Sequence, residues 1–143
     1  MLGSECMIAP VYEQNARGRN VYLPEDMLIV RFRSADDYCL IPMEKGRHWI
    51  DLALNEMPLF IRKGCVIPLS HGGEWVEAVD FTDLRLLGWL EGDACYDLYD
   101  DDGYAVQPVL EDGMHRIEVK VQDGAVTARG DGLKVDAVKV IVK

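Results

Sequence analysis

The chain has 143 residues and is 49% hydrophobic, which is enough length and apolar content to bury a core and argues against disorder. Its formal net charge of -10 would repel the phosphates of nucleic acids and of anionic lipids, so neither is expected as a partner. No stretch approaches the roughly 20 apolar residues of a membrane-spanning helix, and Glu5 interrupts what would have to be the core of a signal sequence. We therefore expect a cytoplasmic protein.

Short apolar runs rich in Val, Ile, Leu and Tyr recur along the chain at intervals of about 8 to 12 residues, with turn residues between them. This spacing predicts an all-β protein with the architecture of an antiparallel β-sandwich. In the first half, strands are predicted over residues 6–11, 20–23, 27–32, 38–42, 48–54, 58–61 and 65–69. The last two runs flank Arg62, Lys63 and Gly64, which predicts a hairpin.

The segment His71-Gly72-Gly73-Glu74 is polar and glycine-rich, which is typical of a linker. A short turn over residues 74–79 is the one helix candidate, and further strands are predicted over residues 84–90, 94–99, 115–122, 126–129 and 135–142. The chain is thus divided into a proximal β-sandwich, residues 1–73, and a smaller distal β-module, residues 74–143. Because each part is short, we expect the two to share packing surfaces.

The four cysteines, Cys6, Cys39, Cys65 and Cys95, are widely spaced, and each lies in an apolar stretch of a predicted strand. They include no Cys-x-x-Cys pair. Buried free thiols in a reducing compartment are the expected state, and a disulfide pair is the alternative.

The sequence contains no recognisable pattern of catalytic residues. His48, His71 and His115 lie far apart, without a second metal ligand at the spacing that would place both on one helix face, so we expect structural or solvated roles for them. The chain also lacks a Gly-x-Ser-x-Gly elbow and a phosphate-binding glycine-rich loop. We predict no catalytic residue, no metal site and no cofactor.

Three consecutive carboxylates, Asp100, Asp101 and Asp102, precede Gly103. We expect a hydrated turn, in which an Asp side chain accepts a backbone hydrogen bond and the glycine takes a positive φ. A calcium site in an adhesion-like sandwich is the alternative, although the spacing departs from the Asp-x-Asp-x-Asp-Gly loop.

Five aromatic residues are candidates for a sugar-binding platform, because a planar ring packs against the apolar face of a pyranose. They are Trp49, Trp75, Trp89, Tyr96 and Tyr104. Core packing is the commoner role of such residues. Trp75 is the best platform candidate because it lies in a polar stretch, and Trp49 is the second.

Three parts of the chain follow one another in an order and spacing that carry a family resemblance. They are MLGSECMIAPV with ARGRNVYLP at residues 1–11 and 16–24, MPLFIRKGCVIPL at residues 57–69, and YDLYDDDG at residues 96–103. Together they resemble the C-terminal part of the family 31 glycoside hydrolases, the α-glucosidase and α-xylosidase family. Asp100 stands where that family usually has Glu, and residues 104–143 match only loosely.

The resemblance implies a proximal and a distal C-terminal β-sandwich attached to a (β/α)₈ barrel. Members of the family are retaining glycosidases, whose mechanism needs two carboxyl groups about 5 Å apart. The family carries both as aspartates on the barrel, N-terminal to the part that this chain resembles. No catalytic residue is therefore carried over, and this chain alone is predicted to be inactive.

The function implied by the resemblance is to brace the catalytic barrel of an α-glucosidase-like parent enzyme, whose substrate would be an α-linked glucoside or xyloside. The docking face would be exposed in the isolated chain or buried in a homodimer. An independent carbohydrate-binding module with Trp75 or Trp49 as its platform is the alternative function.

Overall fold

The structure is a computed structural model that describes residues 3–34, 37–53, 56–75, 78–99 and 113–142. In these ranges the strands are β1 (Cys6–Ile8), β2 (Gly18–Leu23), β3 (Met27–Phe32), β4 (Tyr38–Met43), β5 (Gly46–Asp51), β6 (Met57–Arg62), β7 (Cys65–Ser70), β8 (Asp83–Leu90), β9 (Ala94–Tyr99), β10 (Met114–Gln122), β11 (Ala125–Gly130) and β12 (Lys134–Val142). Among the described residues, no helix is long and apolar enough to cross a membrane.

The strands form four sheets, three of which we name after their central strands. The β3 sheet has the order β1-β6-β3-β4, the β8 sheet the order β12-β8-β7, and the β10 sheet the order β11-β10-β9. Strands β2 and β5 form a two-stranded sheet, which we call the ribbon. The pairing of β8 with β12 is parallel, and the other pairings of described strands are antiparallel.

The β3 sheet is covered on both faces. On one face, Met27, Ile29 and Phe60 share a core with Val21 and Ile50 of the ribbon, and each of these side chains is at most 7% exposed. Along an extended strand, successive side chains point to opposite faces. The residues of β3 that alternate with Met27 and Ile29 therefore point away from the ribbon, towards the β8 sheet.

The second core lies between the β3 sheet and the β8 sheet. Leu28 and Val30 of β3 lie in it together with Ile61 of β6 and with Leu87 and Trp89 of β8. The opposite face of β8 carries Leu84, Leu86 and Leu90, which share a third core with residues of β10. The layers therefore stack in the order ribbon, β3 sheet, β8 sheet and β10 sheet, which confirms the predicted all-β sandwich.

The position of each layer explains the apolar pattern of its strands. The inner strands β3 and β8 are almost continuously apolar, MLIVRF and DLRLLGWL, because both faces of their sheets are covered. The outer strands β2 and β10 alternate between more buried and more exposed residues, because one face of each meets solvent. Inner strands are thus recognised by their continuously apolar composition, and outer strands by the alternation of apolar and polar residues.

The predicted hairpin of β6 and β7 is wrong. Strand β6 pairs with β1 on one side and β3 on the other, so it has no free edge for β7, which pairs with β8 instead. Residues Arg62, Lys63 and Gly64 carry the chain from the β3 sheet to the β8 sheet. The crossover is held there because Gly64 donates its N–H to the Trp89 carbonyl at 2.7 Å and Lys63 Nζ lies 2.6 Å from Glu91 Oε1.

The parallel pair of β8 and β12 is an exception to the antiparallel arrangement predicted from the sequence. Lys134 aligns with Asp83 at one end of the pair and Val142 with Leu90 at the other, with a shift in register along the way. Parallel strands need a long connection. Here the connection contains the strands of the β10 sheet, which lets the chain return to β8 in the same direction.

The predicted boundary at residue 73 falls between β7 and β8, which pair along their length. The two predicted parts therefore share a sheet and a core, as we expected of short parts. The boundary itself stays a prediction. Within the predicted turn, Ala78 donates its N–H to the Trp75 carbonyl at 3.0 Å, while residues 76 and 77 lie outside the described residues.

None of the four cysteines forms a disulfide, but the prediction that they are buried is wrong for two of them. Cys39 and Cys95 are exposed, whereas Cys6 and Cys65 are half-buried. The apolar neighbours of Cys39 and Cys95 misled the prediction, because in a strand adjacent residues face opposite sides. Burial raises the pKa of the Cys6 and Cys65 thiols.

Candidate functional site

The structure separates the aromatic candidates into core and surface residues. Trp89 is 3% exposed in the core between the β3 and β8 sheets, and Tyr96 packs against the core between the β8 and β10 sheets. Trp49 and Trp75 are 56% and 59% exposed. Tyr104 lies outside the described residues. Core packing therefore does not account for Trp49 or Trp75, the two residues predicted as platform candidates.

Trp49 lies on the outer face of the ribbon. In β2, Val21 and Leu23 point into the core, so Asn20 and Tyr22 point outwards, and Tyr22 is 55% exposed. The register pairs Asn20 with Trp49 and Tyr22 with Arg47. Tyr22 and Trp49 are therefore diagonal neighbours on one face, at a Cα separation of about 7 to 8 Å.

The Trp49 ring is held in one orientation. Its indole N–H donates a hydrogen bond to Asp51 Oδ1 at 2.6 Å, from a residue two positions along the same strand face. This bond satisfies the polar edge of the ring without burying its face. An exposed ring that is already ordered loses little further side-chain entropy when a ligand packs on it.

A cavity of about 480 Å³ adjoins Trp49 and is walled by residues 11–13 and 16–20. Tyr12, 78% exposed, lies on this wall. The Arg19 guanidinium is 5.1 Å from the centroid of the Tyr12 ring, within the range of a cation–π contact, and donates a hydrogen bond to the Pro10 carbonyl at 2.6 Å. The wall beside Trp49 is therefore ordered by interactions of its own.

The two predicted platform residues do not lie together. Trp75 lies between β7 and β8 and is not among the residues that line the Trp49 cavity. Sequence reasoning also missed Tyr12 and Tyr22, which lie at the cavity and on the ribbon face. Tyr22 carried a usable signal, because it alternates with Val21 and Leu23 in a strand of period two. Tyr12, outside any strand, carried none.

A buried carboxylate orders the chain next to this face. The side chain of Glu56 is 8% exposed and accepts hydrogen bonds from the Arg31 guanidinium and from the Ala53 N–H. These hydrogen bonds, Arg31 first, hold the pKa of Glu56 below its ordinary value. The group is thus an anchor that stays ionised and not an acid poised to give up a proton near neutral pH.

Replacing Glu56 with glutamine should make the free energy of unfolding depend less on pH in the acid range. Since the folded-state pKa is lowered, the carboxylate stabilises the fold above its unfolded-state pKa of about 4.3, and this contribution is lost as the pH falls through the folded-state value. We expect Glu56→Gln to be less stable than the unsubstituted chain at pH 7, with the difference in unfolding free energy shrinking as the pH falls below the unfolded-state pKa. Urea unfolding at several pH values measures both effects.

Glu118→Gln, on the exposed face of β10, is the matched control for this experiment and should leave the pH profile as it is. The explanation through the Glu56–Arg31 ion pair would be contradicted if the difference in unfolding free energy between Glu56→Gln and the unsubstituted chain did not change with pH.

The histidines make separate local contacts. His48 Nε2 lies 2.7 Å from the Glu44 carbonyl, His71 Nε2 3.3 Å from Asp83 Oδ1, and His115 Nδ1 3.1 Å from the Asp131 carbonyl. Within the part of the chain that the structure describes, His, Cys, Asp and Glu residues form no group of three that could hold a metal ion. Asp100, Asp101 and Asp102 lie outside that part, so the absence of a metal site stays a prediction.

Comparison with known proteins agrees with the resemblance found in the sequence. The family model of the glycosyl hydrolase family 31 C-terminal domain matches residues 1–67. The α-xylosidase of Saccharolobus solfataricus is 32% identical over 106 residues, which make up 72% of this chain and 14% of that protein. Residues 1–67 form a C-terminal domain of glycoside hydrolase family 31. This domain begins the chain and extends into β7.

Solved structures of family 31 enzymes extend the likeness to the strands beyond β7. An α-xylosidase from Xanthomonas citri superposes with a TM-score of 0.61 at 24% identity, over 100% of this chain and 16% of its own. A dextranase from Flavobacterium johnsoniae, in complex with isomaltotriose, superposes with a TM-score of 0.63 at 24% identity, over 90% of this chain and 16% of its own. At these identities the likeness establishes the fold. The chain spans about one-seventh of the length of the curated relative, and its region is the C-terminal one of these family 31 enzymes.

Proposed function

We propose that this chain is the non-catalytic C-terminal β-region of a family 31 glycosidase of the α-glucosidase or α-xylosidase type, and that it braces the catalytic barrel. The parent enzyme would cleave an α-linked glucoside or xyloside by a retaining mechanism, with both catalytic carboxyl groups on the barrel. The observation that carries the proposal is the attachment of β1, the strand that would follow the barrel.

Strand β1 is an edge strand of the β3 sheet, and the residues just before it are fastened by Arg62 of the neighbouring strand β6. The Arg62 N–H donates to the Glu5 carbonyl at 2.9 Å, and its guanidinium donates to the Ser4 carbonyl at 3.0 Å. The same guanidinium forms two hydrogen bonds with the Glu25 carboxylate. Such a bidentate pair fixes orientation as well as providing attraction. A barrel joined through β1 would therefore be held rigidly against the sandwich.

An apolar patch lies at the other end of the β1–β6 pairing from Arg62. A cavity of about 480 Å³ has an apolar side formed by Pro10 and Val11 after β1 and by Met57 and Pro58 at the start of β6. Its remaining lining includes the polar residues Glu13, Gln14, Asn15 and Glu56. Val11 is 36% exposed and Met57 is 51% exposed. Clustered exposed apolar side chains are typical of a surface that another surface covers. We infer that this patch docks on the barrel and that, in the isolated chain, it pairs with a second copy.

Replacing Met57 with lysine should weaken self-association of the isolated chain, because it places a charge in the apolar patch. In light scattering, we expect the molar mass of the unsubstituted 143-residue chain to rise with protein concentration. The molar mass of Met57→Lys should stay near the monomer value. Met114→Lys is the matched control, since Met114 is 45% exposed on β10, in the outer layer on the far side of the fold.

Two results would contradict the bracing function. The first is that the unsubstituted 143-residue chain stays monomeric at every concentration and binds no hydrophobic dye. The second is hydrolysis of an aryl α-glucoside or α-xyloside by the purified chain, at a rate far above background and with contaminating enzyme excluded, because a brace has no catalytic groups.

We also infer a cytoplasmic location for the parent enzyme. The support is that Cys39 and Cys95 are exposed and form no disulfide, since exposed thiols persist best in a reducing compartment.

A further inference from the structure

We propose that the outer face of the ribbon is a subsite for a neutral oligosaccharide, in which a pyranose unit stacks on Trp49. This site is distinct from the patch at Met57 and does not depend on the bracing function. Four observations carry it: an exposed and ordered indole ring, a second ring beside it, polar side chains that flank both rings, and an adjoining cavity.

The first observation is the state of Trp49. The ring is 56% exposed and belongs to none of the three cores, yet its N–H is bonded to Asp51. Exposing much of a large aromatic side chain to water has a cost in free energy, and Trp49 belongs to no core whose packing would offset it. Ordering that face in advance lowers the entropic cost of stacking a flat ligand on it.

The second observation is the place of Tyr22. It is the diagonal neighbour of Trp49 on the same ribbon face, and it is also more than half exposed. Because the Cα atoms of diagonal neighbours lie about 7 to 8 Å apart, the two rings can each receive one unit of a chain of sugars. The arrangement therefore favours an oligosaccharide over a single sugar.

The third observation is the polar frame of the two rings. Asn20 stands opposite Trp49, Arg47 stands opposite Tyr22, and both polar residues are exposed. An amide and a guanidinium can hydrogen-bond the hydroxyl groups at the rim of a stacked sugar. Arg47 and Asp51 also argue against a protein partner on this face, because the centre of a protein interface is depleted in charge.

The fourth observation is the cavity beside Trp49. Its volume of about 480 Å³ lies within the range of small-ligand sites, and its walls bring Glu13 and Arg17 to the edge of the ribbon face. Opposite charges at this edge suit a neutral ligand rich in hydroxyl groups better than an anion.

The test is a nuclear magnetic resonance titration of the ¹⁵N-labelled 143-residue chain with isomaltotriose, maltotriose and glucose. The indole N–H signals of Trp49 and Trp75 are assigned with Trp49→Phe and Trp75→Phe. We expect the Trp49 indole signal and the Asn20 and Arg47 amide signals to shift saturably, while the equally exposed Trp75 indole signal stays in place. A trisaccharide should bind more tightly than glucose.

Variants of the two rings separate stacking from general surface effects. Trp49→Ala should weaken trisaccharide binding, followed through the Asn20 amide, by about tenfold or more, whereas Trp49→Phe should keep part of the affinity and Trp75→Ala all of it. Tyr22→Ala should weaken binding of the trisaccharide more than binding of glucose. Because Trp49 and Tyr22 are exposed, the spectra of these variants should remain those of the folded chain.

The proposal is overturned if no signal on the ribbon face shifts saturably with either trisaccharide, or if Trp75 responds as strongly as Trp49. It is also overturned if Trp49→Ala leaves the affinity unchanged, or if it abolishes self-association of the chain, since the face would then be covered by a second copy.

Discussion

Replacing Leu87 with alanine should lower the free energy of unfolding by about 2 to 5 kcal/mol. Leu87 is fully buried on β8, in the core that Leu28 and Val30 of β3 also form. The substitution removes apolar contacts and leaves a cavity between two sheets. Neither sheet can move freely to close this cavity, because each is also packed on its other face. Urea unfolding followed by circular dichroism measures the loss.

The control for Leu87→Ala is Ile41→Ala on the edge strand β4. Ile41 is 43% exposed, so its truncation should cost about 1 kcal/mol or less. Equal losses for the two variants would show that the β3 and β8 sheets do not share a core. Since whole domains are stable by only about 5 to 15 kcal/mol, a loss of the size expected for Leu87→Ala is a large part of the total.

Gly18→Ala should destabilise the chain by about 3 kcal/mol or more, through backbone strain and a steric clash. Gly18 begins β2 with φ 154°. A Cβ at this position would fall well inside van der Waals distance of the Ile50 carbonyl oxygen and 3.0 Å from the Asp51 Cα. Both atoms belong to the backbone of β5, which can retreat only by breaking its pairing with β2. Thermal unfolding followed by circular dichroism is a suitable measurement.

Gly92→Ala is the matched control for Gly18→Ala. A Cβ at Gly92 would meet nothing within 4 Å, so the change in stability should stay within about 0.5 kcal/mol. If Gly18→Ala unfolds at the same temperature as the unsubstituted chain, β2 and β5 do not approach each other closely at Gly18.

Strands β3 and β9 show how much of the fold is encoded locally. Both were predicted over the residues at which they are observed, 27–32 and 94–99. Each is an apolar run bounded by turn residues, such as Glu25 and Asp26 before β3, and these signals act over a few residues. The pairing of a strand is different, because it depends on which edges the rest of the chain has left free.

The failed hairpin of β6 and β7 illustrates this difference. The turn residues between the two strands are ordinary hairpin residues, and nothing nearby in the sequence shows that β1 and β3 already occupy both edges of β6.

The candidate site was predicted in part. The sequence singled out Trp49 as an aromatic residue that stacking chemistry could use, but it ranked Trp75 first and missed Tyr22. Whether a strand residue meets solvent depends on the layer that contains its strand. The exposed face of the ribbon therefore became visible only when the β3 sheet was seen to cover its other face.

By itself, the sequence determined the all-β class, the position of most strands and the resemblance to family 31, because apolar runs, turn residues and motif segments are local properties of the chain. Only the tertiary structure decided the order of the four layers, the parallel pairing of β12 with β8, and the exposure of Trp49 beside Tyr22. These depend on contacts between residues far apart in the chain, where the burial of one face settles which face of the neighbouring strand is left to solvent.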